Sequence, residues 1–266
     1  MVLGGNPFLA IIITAFNPTK TLLARVTNCG ADALLVKPLS PKQIQERVHA
    51  LIDAPRKFVV TSDFVGPDRR KSAREDSPIP LIDAPNTLRL KALNMAARVN
   101  LNELINRAIV DVNEQKLLRH AFQAAFLIEF AIAVMPGQPT DRMALDHLQR
   151  VVPVLEDLTK RLPAGGTGNR ATVASQATEL IQAVEIARSQ ALSGMVPPGL
   201  DRLKEMALGI MKTLTPERSA DAMGKEVADA AAAYLARLQA MAEAKAAENA
   251  TSITAPLTGT PTTFTR

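Results

Sequence analysis

The sequence predicts two architectures in series, a small α/β segment built on a parallel sheet and then an all-α helical bundle. Three observations carry this. Short continuous β-branched runs alternate with helix-start signals up to residue 53. Five prolines interleaved with charges then interrupt any periodicity between residues 54 and 94. Beyond residue 97 the chain is rich in alanine, and its apolar residues recur every three or four positions, as one face of a helix requires. The expected division is therefore 1–53, 54–96, 97–246 and a disordered tail over 247–266.

Phe8-Leu9-Ala10-Ile11-Ile12-Ile13 is a continuous apolar run, the pattern of a strand covered on both faces. Asn17-Pro18 supplies a capping side chain followed by proline, which is how a helix starts, and Gly30 ends that helix. Ala33-Leu34-Leu35-Val36 reads as a second buried strand. Ser40-Pro41 repeats the cap-plus-proline start, and Ile44, Val48, Leu51 and Ile52 form the stripe of a second helix. The order β-α-β-α implies a parallel sheet. In the next segment only Lys57-Phe58-Val59-Val60-Thr61 has strand character, and as an edge strand.

Five helices are expected in the bundle, near 100–134, 140–162, 170–193, 199–213 and 216–246, with a kink at Pro153. Val173, Ala177, Leu180, Val184, Ala187 and Ala191 form one stripe. Met223, Val227, Ala230, Tyr234, Leu238 and Met241 form another. Such alanine-rich faces bury little area each, so self-association through the bundle is expected, with Tyr234 and Leu238 in the packed seam.

Composition narrows the chemistry. Of 266 residues only Cys29 is a cysteine and three are histidines, which excludes an internal disulfide and leaves no material for a Cys-rich metal site. Aromatic content of 3% argues against a base-stacking surface for single-stranded nucleic acid. The net charge of +5 is concentrated early, with thirteen basic against eight acidic side chains in residues 1–94, including Arg69-Arg70-Lys71 and Arg74. That patch reads as a solvated basic linker. The longest apolar candidate, Ala121–Val134, is too short for a membrane span and is broken by Gln123 and Glu129, so no membrane association is expected and the location is read as cytoplasmic.

Thr14 and Lys37 close the two strands of the α/β segment, and ligands of open parallel sheets bind outside the carboxyl ends of the strands. A hydroxyl and an ammonium there are placed to meet one anion. Ile11-Ile12-Ile13-Thr14-Ala15, followed by Gly30-Ala31-Asp32-Ala33-Leu34-Leu35-Val36-Lys37-Pro38-Leu39-Ser40, closely resembles the second half of a response-regulator receiver domain, a flavodoxin-like fold of bacterial two-component systems. The resemblance implies that Thr14 and Lys37 stand at positions contacting an aspartyl phosphoryl group, and that Lys37-Pro38 is a cis peptide. Phe58-Val59-Val60-Thr61 and Gly66-Pro67-Asp68-Arg69-Arg70 are similar to a tail found after some of these domains. A complete receiver carries an acidic, magnesium-binding pair and a phosphoaccepting aspartate before the threonine, and no such residues precede Thr14. Asp32 and Asp53 lie in the wrong places to substitute, and the position three before Lys37, often an aromatic switch, is Leu34. The segment is thus read as a truncated receiver.

The resemblance implies a response-regulator-like protein of a phosphorelay, not an enzyme, whose helical part is an output or interaction domain. Its expected partners are a sensor kinase or another signalling protein. No cofactor is expected in this chain, since magnesium belongs to the complete receiver. The alternative is a non-phosphorylated adaptor acting through the bundle. Nucleic acid ranks last as a partner, because the bundle shows no basic recognition helix. Of the remaining candidates, His120 is read as a helix-surface or packed histidine rather than a phosphotransfer residue. Gly165-Gly166-Thr167-Gly168 is read as loop punctuation, and Glu129 as a carboxylate needing a basic partner.

Overall fold

A computed structural model describes residues 6–69, 80–162 and 167–253. Over these residues the chain is mostly helical, with eight α-helices and two two-stranded sheets, so the α/β character is confined to a small part of it. Arg70, Lys71 and Arg74 of the basic patch, Gly165-Gly166, and the tail from residue 254 lie outside the described residues. The chain separates into two compact units. One comprises Met1–Gln123 with Asp157–Gly166, the other Ala124–Glu156 with Thr167–Arg266.

In the first unit, β1 (Ile12–Ala15) pairs in parallel with β2 (Ala33–Val36), Ile12 opposite Ala33 and Ala15 opposite Val36. The strand sits four residues later than the apolar run begins. Covering on both faces is not what the structure shows: Leu9, Ile11 and Val36 are about half exposed and Phe16 is 70% exposed. A continuous apolar run cannot report how many strands and helices will lie against it, and here there are few. Helix α1 (Lys20–Asn28) starts two residues beyond Pro18, with Thr19 rather than Asn17 as the cap, its hydroxyl accepting from the amide of Leu22. The expected Asn-Pro start is therefore corrected by two positions. Helix α2 (Pro41–Asp53) starts as expected on Ser40-Pro41, and Gln43 completes a reciprocal capping box. Its stripe is present but shallow, with no fully buried residue.

The proline-rich segment holds more structure than one edge strand. β3 (Phe58–Val60) and β4 (Val65–Pro67) form an antiparallel hairpin, bridged at Phe58 to Ile82, and Phe58 packs edge-on against Phe8. Helix α3 (Thr87–Ala92) follows, capped by Asn86, whose amide also donates to the carbonyl of Leu51 at the end of α2. The hairpin approaches the loop after α1 through two glycines. Gly30 holds a φ of +80°, and a Cβ on Gly66 would lie 2.7 Å from Cζ of Phe64 and 3.1 Å from Cα of Gly30. Gly66→Ala is expected to force the two backbones apart and cost about 1–3 kcal/mol, as overpacking does. Hydrogen exchange over residues 58–67 measures this, and unchanged protection would show that the contact yields freely.

The five expected helices are all present: α4 (Leu101–Val134), α5 (Arg142–Arg161), α6 (Asn169–Leu192), α7 (Leu200–Leu214) and α8 (Ala220–Ile253). Helix α5 runs through Pro153 without a break. The α6 stripe is buried at all six expected positions. On α8 the stripe is Met223, Val227 and Ala231, not Ala230, and Met241 is 60% exposed. Four-residue steps drift around a 3.6-residue helix, so a narrow alanine face leaves the choice between neighbours to its surroundings. Helix α8 also continues seven residues past 246, because alanines and Glu248 favour helix and no breaker occurs before Pro256.

One described helix, α4, is long and apolar enough to cross a membrane by length and composition, with an 18-residue window of mean hydropathy 1.5. Half of that window is buried within the protein. The reading of Ala121–Val134 as too short considered only that stretch, broken by Gln123 and Glu129, and missed this wider window.

Candidate functional site

Thr14 and Lys37 stand at the carboxyl ends of adjacent parallel strands, as their positions after apolar runs implied. The register places Thr14 opposite Leu35, and the amide of Lys37 donates to the carbonyl of Ala15 at 2.7 Å, which fixes Lys37 directly beyond the end of β2. The Lys37–Pro38 peptide is cis. Thr14 is exposed, and Lys37 is half-buried with its ammonium 4.9 Å from the centre of the Phe16 ring. A cation over an aromatic face is held weakly, by roughly 0.5–1 kcal/mol at an exposed site. An anion arriving between the strand ends can therefore draw the ammonium off the ring at small cost.

Of the carboxylates weighed for this site, Asp32 is committed elsewhere and Asp53 lies at a helix end. Asp32 lies before β2, at the opposite end of the strands, where its Oδ2 accepts from the amide of Ile11 at 2.7 Å. Asp53 ends α2. Among the described residues no three His, Cys, Asp or Glu side chains gather in a group that could hold a metal ion. The strand ends thus carry a hydroxyl and an ammonium, while Asp32 is engaged at the other end of the strands.

A second polar cluster lies in the same unit and was not legible as a cluster. His120 is 3% exposed. Its Nδ1 lies 2.6 Å from the carbonyl of Lys116 and its Nε2 2.8 Å from Oδ2 of Asp157. Both ring nitrogens face acceptor oxygens, so neither is free to take a phosphoryl group or a proton from a substrate, and the packed-histidine reading holds. Arg161 Nε donates to the same Asp157 oxygen at 2.9 Å, and Lys116 Nζ donates to the carbonyl of Ser62 at 2.6 Å. Burial, and then the positive charge of Arg161, push the Lys116 ammonium below its ordinary value, against Asp157 and Asp63. Burial raises the Asp157 carboxyl, but the hydrogen bond and charge of Arg161, with the charges of His120 and Lys116, outweigh it and hold it below the usual carboxylate range. The cluster is a clamp joining the hairpin loop to α4 and α5. Its sequence trace is two i,i+4 pairs, Lys116 with His120 and Asp157 with Arg161, but the 36 residues between His120 and Asp157 hide their meeting.

In the second unit, Phe130 stacks on His147 with centroids 4.2 Å apart and planes 18° apart, and Tyr234 sits edge-on to both Phe126 and Phe130. Burial lowers the His147 pKa, opposed by the bond of its Nδ1 to the carbonyl of Met143. Tyr234 is thus half-buried inside its own unit, and Leu238 beside it is half-buried too. Glu129 has the basic partner it needed, since Lys204 Nζ lies 3.0 and 2.9 Å from its two carboxylate oxygens. Helices α6 and α7 bound an open groove of about 580 Å³ lined by Ala183, Ile186, Leu203 and Met206, with Glu179 and Arg202 at its walls.

Comparison with protein-family models, with curated proteins and with solved structures finds no match to this chain.

Proposed function

We propose that this chain is a response-regulator-like component of a cytoplasmic phosphorelay that recognises a phosphoryl group without accepting it covalently, and that its helical part serves as the output or interaction surface. The observation that supports this reading is the pair of adjacent parallel strand ends carrying Thr14 and Lys37, with a cis peptide at Lys37–Pro38, inside a β-α-β-α order. A sensor kinase or another signalling protein is the partner class it implies. The test supplies the first half of a receiver in trans: a fragment bearing its first three strands, with the acidic pair and phosphoaccepting aspartate, is mixed with this chain, magnesium and labelled acetyl phosphate. Hydroxylamine-sensitive label is expected on the fragment and not on this chain, and Lys37→Ala is expected to reduce it at least severalfold. Label that ignores this chain altogether would sink the reading.

The second reading, a non-phosphorylated adaptor, draws on the second unit. Ile186, Leu192, Met195 and Val196 are 46–61% exposed beside the α6–α7 groove, an apolar surface available to a partner helix. Substitution of Ile186 by Asp separates the two: it disables the adaptor and leaves the in-trans labelling untouched.

A further inference from the structure

We infer that β1 is a pairing edge for a second copy of this chain, forming a two-fold sheet in the order β2-β1-β1-β2. The backbone sets this up. Ile11 and Ala15 accept hydrogen bonds from the start of β2 and the residues flanking it, through the amides of Asp32, Ala33 and Lys37. Because alternate residues of a strand turn their backbone groups to alternate sides, Ile11, Ile13 and Ala15 face β2, while Ile12 and Thr14 direct N–H and C=O away from it. Among the described residues no strand lies on that side.

Such an edge normally carries a guard, most often a lysine, a proline within the strand or a bulge. Here no Lys, Arg, Asp or Glu occurs between Phe8 and Thr19, and the one proline in that stretch, Pro18, lies beyond the strand. The ladder with β2 runs through four successive pairs without a bulge. The residues along the edge are apolar and open: Leu9 is 55%, Ile11 49% and Phe16 70% exposed.

The edge is also complementary to itself, which favours a second copy over an unrelated strand. An antiparallel pairing centred on Ile13 places Ile12 opposite Thr14 of the partner at both ends, so each exchanges two backbone hydrogen bonds. Ile13 then meets its own equivalent, and Ile11 meets Ala15. A neutral strand brings no like charges together at any of these positions, and a two-fold axis closes the assembly at two copies.

Light scattering on the full chain across a concentration series should give twice the 28.5 kDa chain mass as its upper plateau. Hydrogen exchange at the amides of Ile12 and Thr14 should slow as the dimer fills, while Ile13 stays protected throughout. Ile12→Pro removes one outward donor per copy without touching the ladder to β2, and proline is tolerated at the first residue of a strand. It should weaken the dimer by roughly tenfold or more. Ile12→Val keeps the donor and should leave it unchanged. A chain that stays monomeric, or a dimer whose Ile12 and Thr14 amides exchange independently of concentration, overturns the inference even if Ile12→Pro fails to fold.

Discussion

Phe130→Ala should destabilise the protein by about 3–5 kcal/mol, the usual cost of emptying a buried phenylalanine site. Phe130 is 1% exposed and contributes a ring to three others, stacked on His147 and edge-on to Tyr234, which in turn meets Phe126. Removing it deletes its own transfer free energy and leaves two half-supported aromatic rings around a void. The thermal midpoint should fall by roughly 6–20 °C, at about 2–4 °C per kcal/mol for a chain of this size. Phe130→Leu refills part of the volume and should recover much of the loss. If Phe130→Ala melts as the parent does, the ring cluster is collapsible and its geometry unimportant to the second unit.

Asp157→Ala should cost about 1–3 kcal/mol at neutral pH, because it leaves the buried Nε2 of His120 with no acceptor. The Arg161 contact adds less, since the Asp157 side chain is 42% exposed and solvent screens it. The variant should also lose an acid dependence that the parent shows. The Asp157 carboxyl is held below its ordinary value, so its unfolded form binds protons first as pH falls. Its contribution is complete above about pH 4 and disappears as the pH falls through the lower, folded-state value. Urea melts at pH 7 and over the range 4 to 2.5 should therefore converge for parent and variant at the acid end. A constant difference across that range would mean that Asp157 acts by shape rather than by charge.

What the sequence made legible follows from the range of the interactions concerned. The α6 stripe was read at all six positions because a helix buries what it repeats, and every repeat is within four residues. Ser40-Pro41 worked for the same reason, with both cap and proline local to α2. Failure came where the answer depended on a distant neighbour. Phe8–Ile13 looks the same whether or not helices cover the strand, and Ala230 and Ala231 are equivalent until something packs on one of them. At the candidate site, Thr14 and Lys37 were legible as residues that end apolar runs. The clamp of His120, Asp157, Arg161 and Lys116 was not, because its members come from α4, α5 and the hairpin loop, and no spacing rule links them.

The shortness of the sheet connections bears on how the chain is made. Ile12 meets Ala33 and Phe58 meets Pro67, so each ladder closes on a loop of a few tens of residues or fewer, at modest entropic cost. Both can form on the ribosome while α4 to α8 are still unsynthesised, since contacts of low sequence separation assemble fastest. During that interval the uncharged stretch from Phe8 to Phe16 is displayed on every nascent chain of a polysome, next to identical neighbours. Pairing between such stretches competes with completion of the single chain, so the order of synthesis matters as well as final stability.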